Sequence, residues 1–165
     1  MQIWNILTHN GNQEFTDKNF EFALTSYEQA LKQASSMLNL KNETDIENVV
    51  SLILISHCNL ANCYFELNWI KKACEQYEIA HQFLKAAIVL SQNNKLQLAA
   101  LKSNKLLKQK WLSSLKKYKQ QLPDFNTLRT YSRSMCNAYN IHTFKQIGAQ
   151  HEYYSNVFNH FSFNG

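Results

Sequence analysis

The residues with chemical potential are few, and their spacing does not converge. His57 stands beside Cys58, the residue types of a general base and a sulfur nucleophile. Neighbours on a helix point about 100° apart, so the imidazole and the thiol of such a pair do not face each other. His142, His151 and His160 recur every nine residues. Nine residues make about two and a half helical turns, which puts successive rings on opposite faces, so no metal site is expected. The four cysteines are Cys58, Cys63, Cys74 and Cys136, and no two form a CxxC pair. Three of them fall in apolar helical patterns, and each reads as a free buried thiol in a reducing cytoplasm. No GxSxG, P-loop, Rossmann glycine pattern, HExxH or paired-carboxylate signature occurs. The expectation is a chain with no catalytic residue, metal or cofactor.

Charge is the more informative chemistry. The formal net charge is +5, but residues 1–78 hold ten acids against five lysines, and residues 79–123 hold nine lysines and no acid. A basic face is formed by Lys95, Lys102, Lys105, Lys108, Lys110, Lys116, Lys117 and Lys119. Such a face can be solvated, can dock on an acidic surface of this or a second chain, or can meet a polyanion. The two arginines, Arg129 and Arg133, lie elsewhere. Base reading relies mostly on arginine, so nucleic acid is not the expected partner. The N-terminus has neither a basic region nor an apolar run of leader length, and the apolar run at 49–55 is too short to span a bilayer. A cytoplasmic chain without membrane contact is expected.

The elements that hold these residues are helices. Three glycines and one proline in 165 residues are too few for the many turns of a sheet fold. Apolar residues recur at helical spacing over 2–16, 20–39, from about 45 to 67, over about 69–92, and from 94 toward Pro123. Thr44 with Glu47 forms a capping box at the third start. Val49, Val50, Ile53 and Ile55 favour strand, yet no turn signal separates them from the helical run that follows. Residues 124–165 are rich in aromatic and polar types and carry only a weak helical pattern near 126–139.

Self-comparison shows an internal repeat. Ala23, Tyr27 and Ala30 recur as Ala73, Tyr77 and Ala80; Gly11 matches Ala61, Asn12 matches Asn62, Phe15 matches Phe65, and Phe20 matches Ile70. Small residues suit the points where antiparallel helices cross, and aromatics fill the gaps beside them. The pattern resembles the tetratricopeptide repeat (TPR), in a variant with lengthened helices. The copies are 50 residues apart, against about 34 in the family. The resemblance implies an all-α, TPR-like α-solenoid over 1–122, with units at about 3–40 and 45–92 and a long capping helix at about 94–122. An irregular or helical tail, 123–165, follows.

The resemblance also implies a non-catalytic protein–protein interaction module. In the family the first helices of each unit line a concave groove that grips a peptide or helix. Matched residue by residue, that groove presents Asn5, Thr8, Asn12, Phe15 and Thr16, then Cys58, Asn62, Phe65 and Glu66. Asparagines can bond a peptide backbone and phenylalanines supply apolar contact. Thr8 and Cys58 stand where carboxylate-clamping members carry a lysine, so that mode is not implied. The alternative is a homodimeric regulatory adaptor that uses the lysine helix 95–119 on nucleic acid or an acidic surface. The repeat alignment makes one direct prediction: Ala73→Phe overpacks a close helix crossing and lowers stability by about 1–3 kcal/mol. An unchanged thermal midpoint would show that the alignment is wrong.

Overall fold

The computed structural model describes residues 1–39 and 45–137. All regular structure among them is helical. α1 (Gln2–Thr16) pairs with α2 (Phe20–Asn39), and α3 (Ile46–Glu66) with α4 (Ile70–Leu90). α5 (Asn94–Lys117) follows, then a short 3-10 turn, then α6 (Phe125–Tyr131) and α7 (Arg133–Asn137). Five long helices precede Pro123, as the periodicity requires. The run 49–55 is helix, because Val49, Val50, Ile53 and Leu54 all bury on one side of α3, and such packing outweighs a small propensity difference. Thr44, the three spaced histidines beyond 140 and the tail aromatics from Tyr139 onward lie outside the described residues.

The starts of α5 and α6 are fixed by short polar side chains. Asn93 accepts from the backbone N–H groups of Lys95 and Leu96, and Asp124 from those of Asn126 and Thr127. From α1 to α5 each helix packs on the next in sequence, α5 also packs on α3, and α6 and α7 pack on each other and on α4. The largest core lies among α3 to α7, around Phe65, Tyr77 and Trp111, all fully buried. Trp4, Ala30, Ala34, Val49 and Ile53 form a second cluster, and Ala23, Leu24, Tyr27, Leu60 and Cys63 a third. These two join the first helix pair to α3. α3 is long and apolar enough to cross a membrane, but 67% of that stretch is buried inside the fold, which is the mark of a central core helix. Residues 125–137 do not hang free: Leu128, Met135 and Cys136 complete the main core.

The repeat extends to the turns. Lys18 and Asn68, 50 positions apart, have φ of 63° and 59°. Around Lys18, the Asn19 amide donates to the Glu14 carbonyl (2.8 Å) and the Lys18 amide to that of Phe15 (3.1 Å). Around Asn68, Trp69 donates to Tyr64 (2.8 Å) and Asn68 to Phe65 (3.0 Å). Both are Schellman motifs built on a left-handed residue. Asparagine tolerates that conformation and lysine does not, at a cost of about 1–2 kcal/mol. Lys18→Gly is therefore expected to stabilise the protein by up to about 1 kcal/mol after the added chain entropy is deducted, and Asn68→Gly by less. Urea unfolding of both variants checks the order.

Candidate functional site

The inner face of α3 is already taken, and the occupant is α5. Phe65 stacks on Tyr118 with ring centroids 4.6 Å apart. The Ser114 hydroxyl donates to Asn62 Oδ1 (3.2 Å) and lies 2.7 Å from the Tyr77 hydroxyl, which also donates to the Lys110 carbonyl (3.2 Å). Glu66 Oε1 accepts from Lys117 Nζ (2.7 Å) and from the Tyr118 hydroxyl (2.8 Å). Burial alone would raise the Glu66 carboxyl; the Lys117 and Tyr118 bonds outweigh it and hold it below the usual range. Cys58 and Phe65 are buried beneath this seam. Among the groove positions of the second unit, then, Cys58 and Phe65 are core, and Asn62 and Glu66 are engaged by α5.

The matching face of α1 is more open. Asn5, Asn12 and Thr16 are exposed. Phe15 is half-buried, edge-on to Phe20 at 5.3 Å, with Lys117 Nζ 5.7 Å from its ring. Thr8 corrects the groove reading: it is buried at 9% exposure, because its side of α1 is the one that packs inward with Trp4 and Gly11. Asn12 Oδ1 accepts from the Tyr27 hydroxyl at 2.7 Å. Gly11 makes that bond possible, since a Cβ there would stand 2.6 Å from the Tyr27 ring. In the second pair Ala61 carries the methyl that Gly11 lacks, and the Tyr77 hydroxyl turns to α5 instead. The repeated asparagines thus have different partners.

The other chemical candidates resolve into structure. His57 Nδ1 and Gln76 Oε1 are 2.9 Å apart, and burial pushes the imidazole pKa down despite that bond. Cys58 interacts instead with Tyr77, and burial pushes its thiol up to about 12. Burial does the same to Cys63, Cys74 and Cys136. At neutral pH these are thiols, not thiolate nucleophiles. On the basic face, Lys102 reaches both carboxylate oxygens of Glu47 (3.1 Å) and Lys117 reaches Glu66, so part of it pairs with acidic α3. Lys105, Lys110 and Lys119 remain exposed.

Sequence reading missed Glu78. Its carboxylate accepts from the Ser132 hydroxyl (3.2 Å), the Ser134 hydroxyl, and the backbone amides of Ser134 (3.1 Å) and Met135 (3.3 Å). It caps α7 from another helix and latches the C-terminal helices to α4. Burial would raise its pKa; the bonds from Ser134, Gln82, Met135 and Ser132 prevail and hold it below the ordinary Glu value.

Fold and site define an all-α chain of consecutively packed helices with polar seams between them. It belongs to the family described as protein of unknown function (DUF2753), whose model matches residues 2–146 and so spans every described helix. No curated protein and no solved structure matches it.

Because Glu78 binds its proton more weakly folded than unfolded, its contribution is full above the usual Glu range and fades as pH falls through and below it. Glu78→Gln is expected to cost about 1–3 kcal/mol at pH 7. Its stability should also fall less steeply on acidification than that of the wild type. Urea titrations at neutral and acid pH measure both.

Proposed function

We propose that the chain is a non-catalytic protein–protein interaction module of tetratricopeptide-like architecture, and that the inner face of α1 takes a partner segment. One observation carries this reading. The repeat positions on α3 grip a helix, through Asn62 on Ser114, Phe65 on Tyr118 and Glu66 on Lys117 and Tyr118. The equivalent region of α1 leaves Asn5, Asn12 and Thr16 at the surface. The α3–α5 seam is an internal example of what this surface accepts: a helix that offers a small hydroxyl, a cation and an aromatic ring on one side. The two matched turns at Lys18 and Asn68 and the small residues Gly11 and Ala61 support the architecture. So does the burial of every cysteine, which places these thiols in the packing.

The adaptor reading, in which the lysine helix contacts nucleic acid or an acidic surface, has less support. Lys102 and Lys117 are already paired with α3. The two readings separate by salt: a contact made by the lysine face weakens steeply with ionic strength, and a groove contact far less.

The test is site-specific photo-crosslinking in the full chain from Asn5 and from Thr16, with Glu21 on α2 as the control position. The expected result is a discrete protein adduct from both α1 positions that survives high salt, with none from Glu21. Adducts of equal yield from all three positions, or none from α1, would overturn the groove. Asn12 is left intact because its bond to Tyr27 is structural.

A further inference from the structure

We propose that the cleft where α4, α5 and α7 meet binds a small organic oxyanion, a phosphate or carboxylate carried on a short apolar body. The cleft encloses about 440 Å³, within the range of small-molecule sites. Its polar wall is His81, Lys85, Asn104, Ser134 and Asn137. His81, Lys85, Asn104 and Asn137 can each donate a hydrogen bond, the Ser134 hydroxyl is spent on Glu78, and none of the five is acidic. α5 reinforces the sign, since it holds lysines and no acid; α4 carries Glu75 and Glu78 alongside Lys71, Lys72 and Lys85. The nearby carboxylate, Glu78, is occupied by Ser132, Ser134 and the α7 amides.

Two atoms mark the wall as more than structural. His81 Nδ1 and Asn104 Oδ1 are shut off from solvent and have no hydrogen-bond partner. Only four such atoms occur among the described residues, and two of them belong to this one cleft. Each orphan costs about 1–3 kcal/mol, and folded proteins satisfy nearly all of their buried polar groups. Imidazole and amide both turn about a broad, two-fold terminal torsion. A half-turn of the Asn104 amide exchanges Oδ1 for Nδ2, and His81 Nδ1 donates or accepts according to its tautomer, so each side chain can offer a donor or an acceptor as a ligand requires. A bare phosphate ion fills a small part of the space and leaves Ile88 and Val89, the apolar side of the cleft, without contact. That side is the reason for an apolar body. The site lies outside the α1 face, and the proposal stands or falls separately from the interaction reading.

The experiment titrates the full chain with phenyl phosphate, benzoate and inorganic phosphate, following the side-chain signals of His81, Asn104 and Asn137 by NMR. Saturable shifts at these three residues are expected, with one of the two aromatic anions binding at least about tenfold more tightly than inorganic phosphate. Which one binds more tightly identifies the head group. Asn104→Leu removes an orphaned group, so it should keep or raise the melting temperature while abolishing the shifts. Lys85→Gln should weaken binding, and Lys105→Gln on the exposed face of α5 should leave it unchanged. Shifts that never saturate, that spread along the lysine helix, or that persist in Asn104→Leu would overturn the site.

Discussion

The hydroxyl of Ser114 holds three helices in one place. It donates to Asn62 on α3, meets Tyr77 from α4, and is itself carried by α5. Around it, Trp111 fills the core with its ring 4.9 Å from that of Tyr77, and Phe65 lies flat on Tyr118. A buried hydroxyl held by polar groups from two other helices fixes rotation as well as distance, which apolar packing alone does less well. The register of α5 against the second helix pair follows from that point. So does the placement of Lys117 on Glu66 and of Lys102 on Glu47. Without this seam the lysine helix would have an amphipathic stripe and no reason to choose one depth over another.

The two helix pairs are similar in construction and different in use. Their turns match bond for bond, and their crossing points carry small residues at the same positions. A single methyl separates them. Gly11 admits the Tyr27 ring and lets its hydroxyl close on Asn12, which keeps that bond inside the first pair. Ala61 fills the equivalent space, and the Tyr77 hydroxyl serves the next helix instead. The first pair keeps its tyrosine bond to itself, and the second passes its own to α5.

Much of this was legible in the sequence. The five long helices were, because their apolar residues keep a period of three to four without interruption, and the breaks fall at polar residues. The repeat was legible through Ala, Tyr and Gly, whose small and large volumes have to alternate at crossings. What the residue types did not show was the occupant of the α3 face. Asn62, Phe65 and Glu66 present an amide, a ring and a carboxylate whether the helix that covers them belongs to another molecule or to the same chain. Glu78 was illegible for a related reason. It is an ordinary helical acid by its neighbours, and its partners Ser132, Ser134 and Met135 lie 54 to 57 residues away. Residues 125–137 looked weakly helical because they are: two short helices, the first capped locally by Asp124 and the second by the distant carboxylate of Glu78.

The sequential packing of the helices also sets the order in which the chain can assemble. Each hairpin closes through turns a few residues long, at small entropic cost. Bonds between distant parts of the chain include Trp4 to Ser56, which joins the two hairpins, and Glu66 to Tyr118 and Glu78 to Ser134, which tie the second hairpin to the segments after it, with separations of 52, 52 and 56 residues. A topology of this kind has low contact order and belongs to the rapidly folding class. Nucleation can begin in either hairpin, and α5 is the piece whose docking converts two local structures into one cooperative unit.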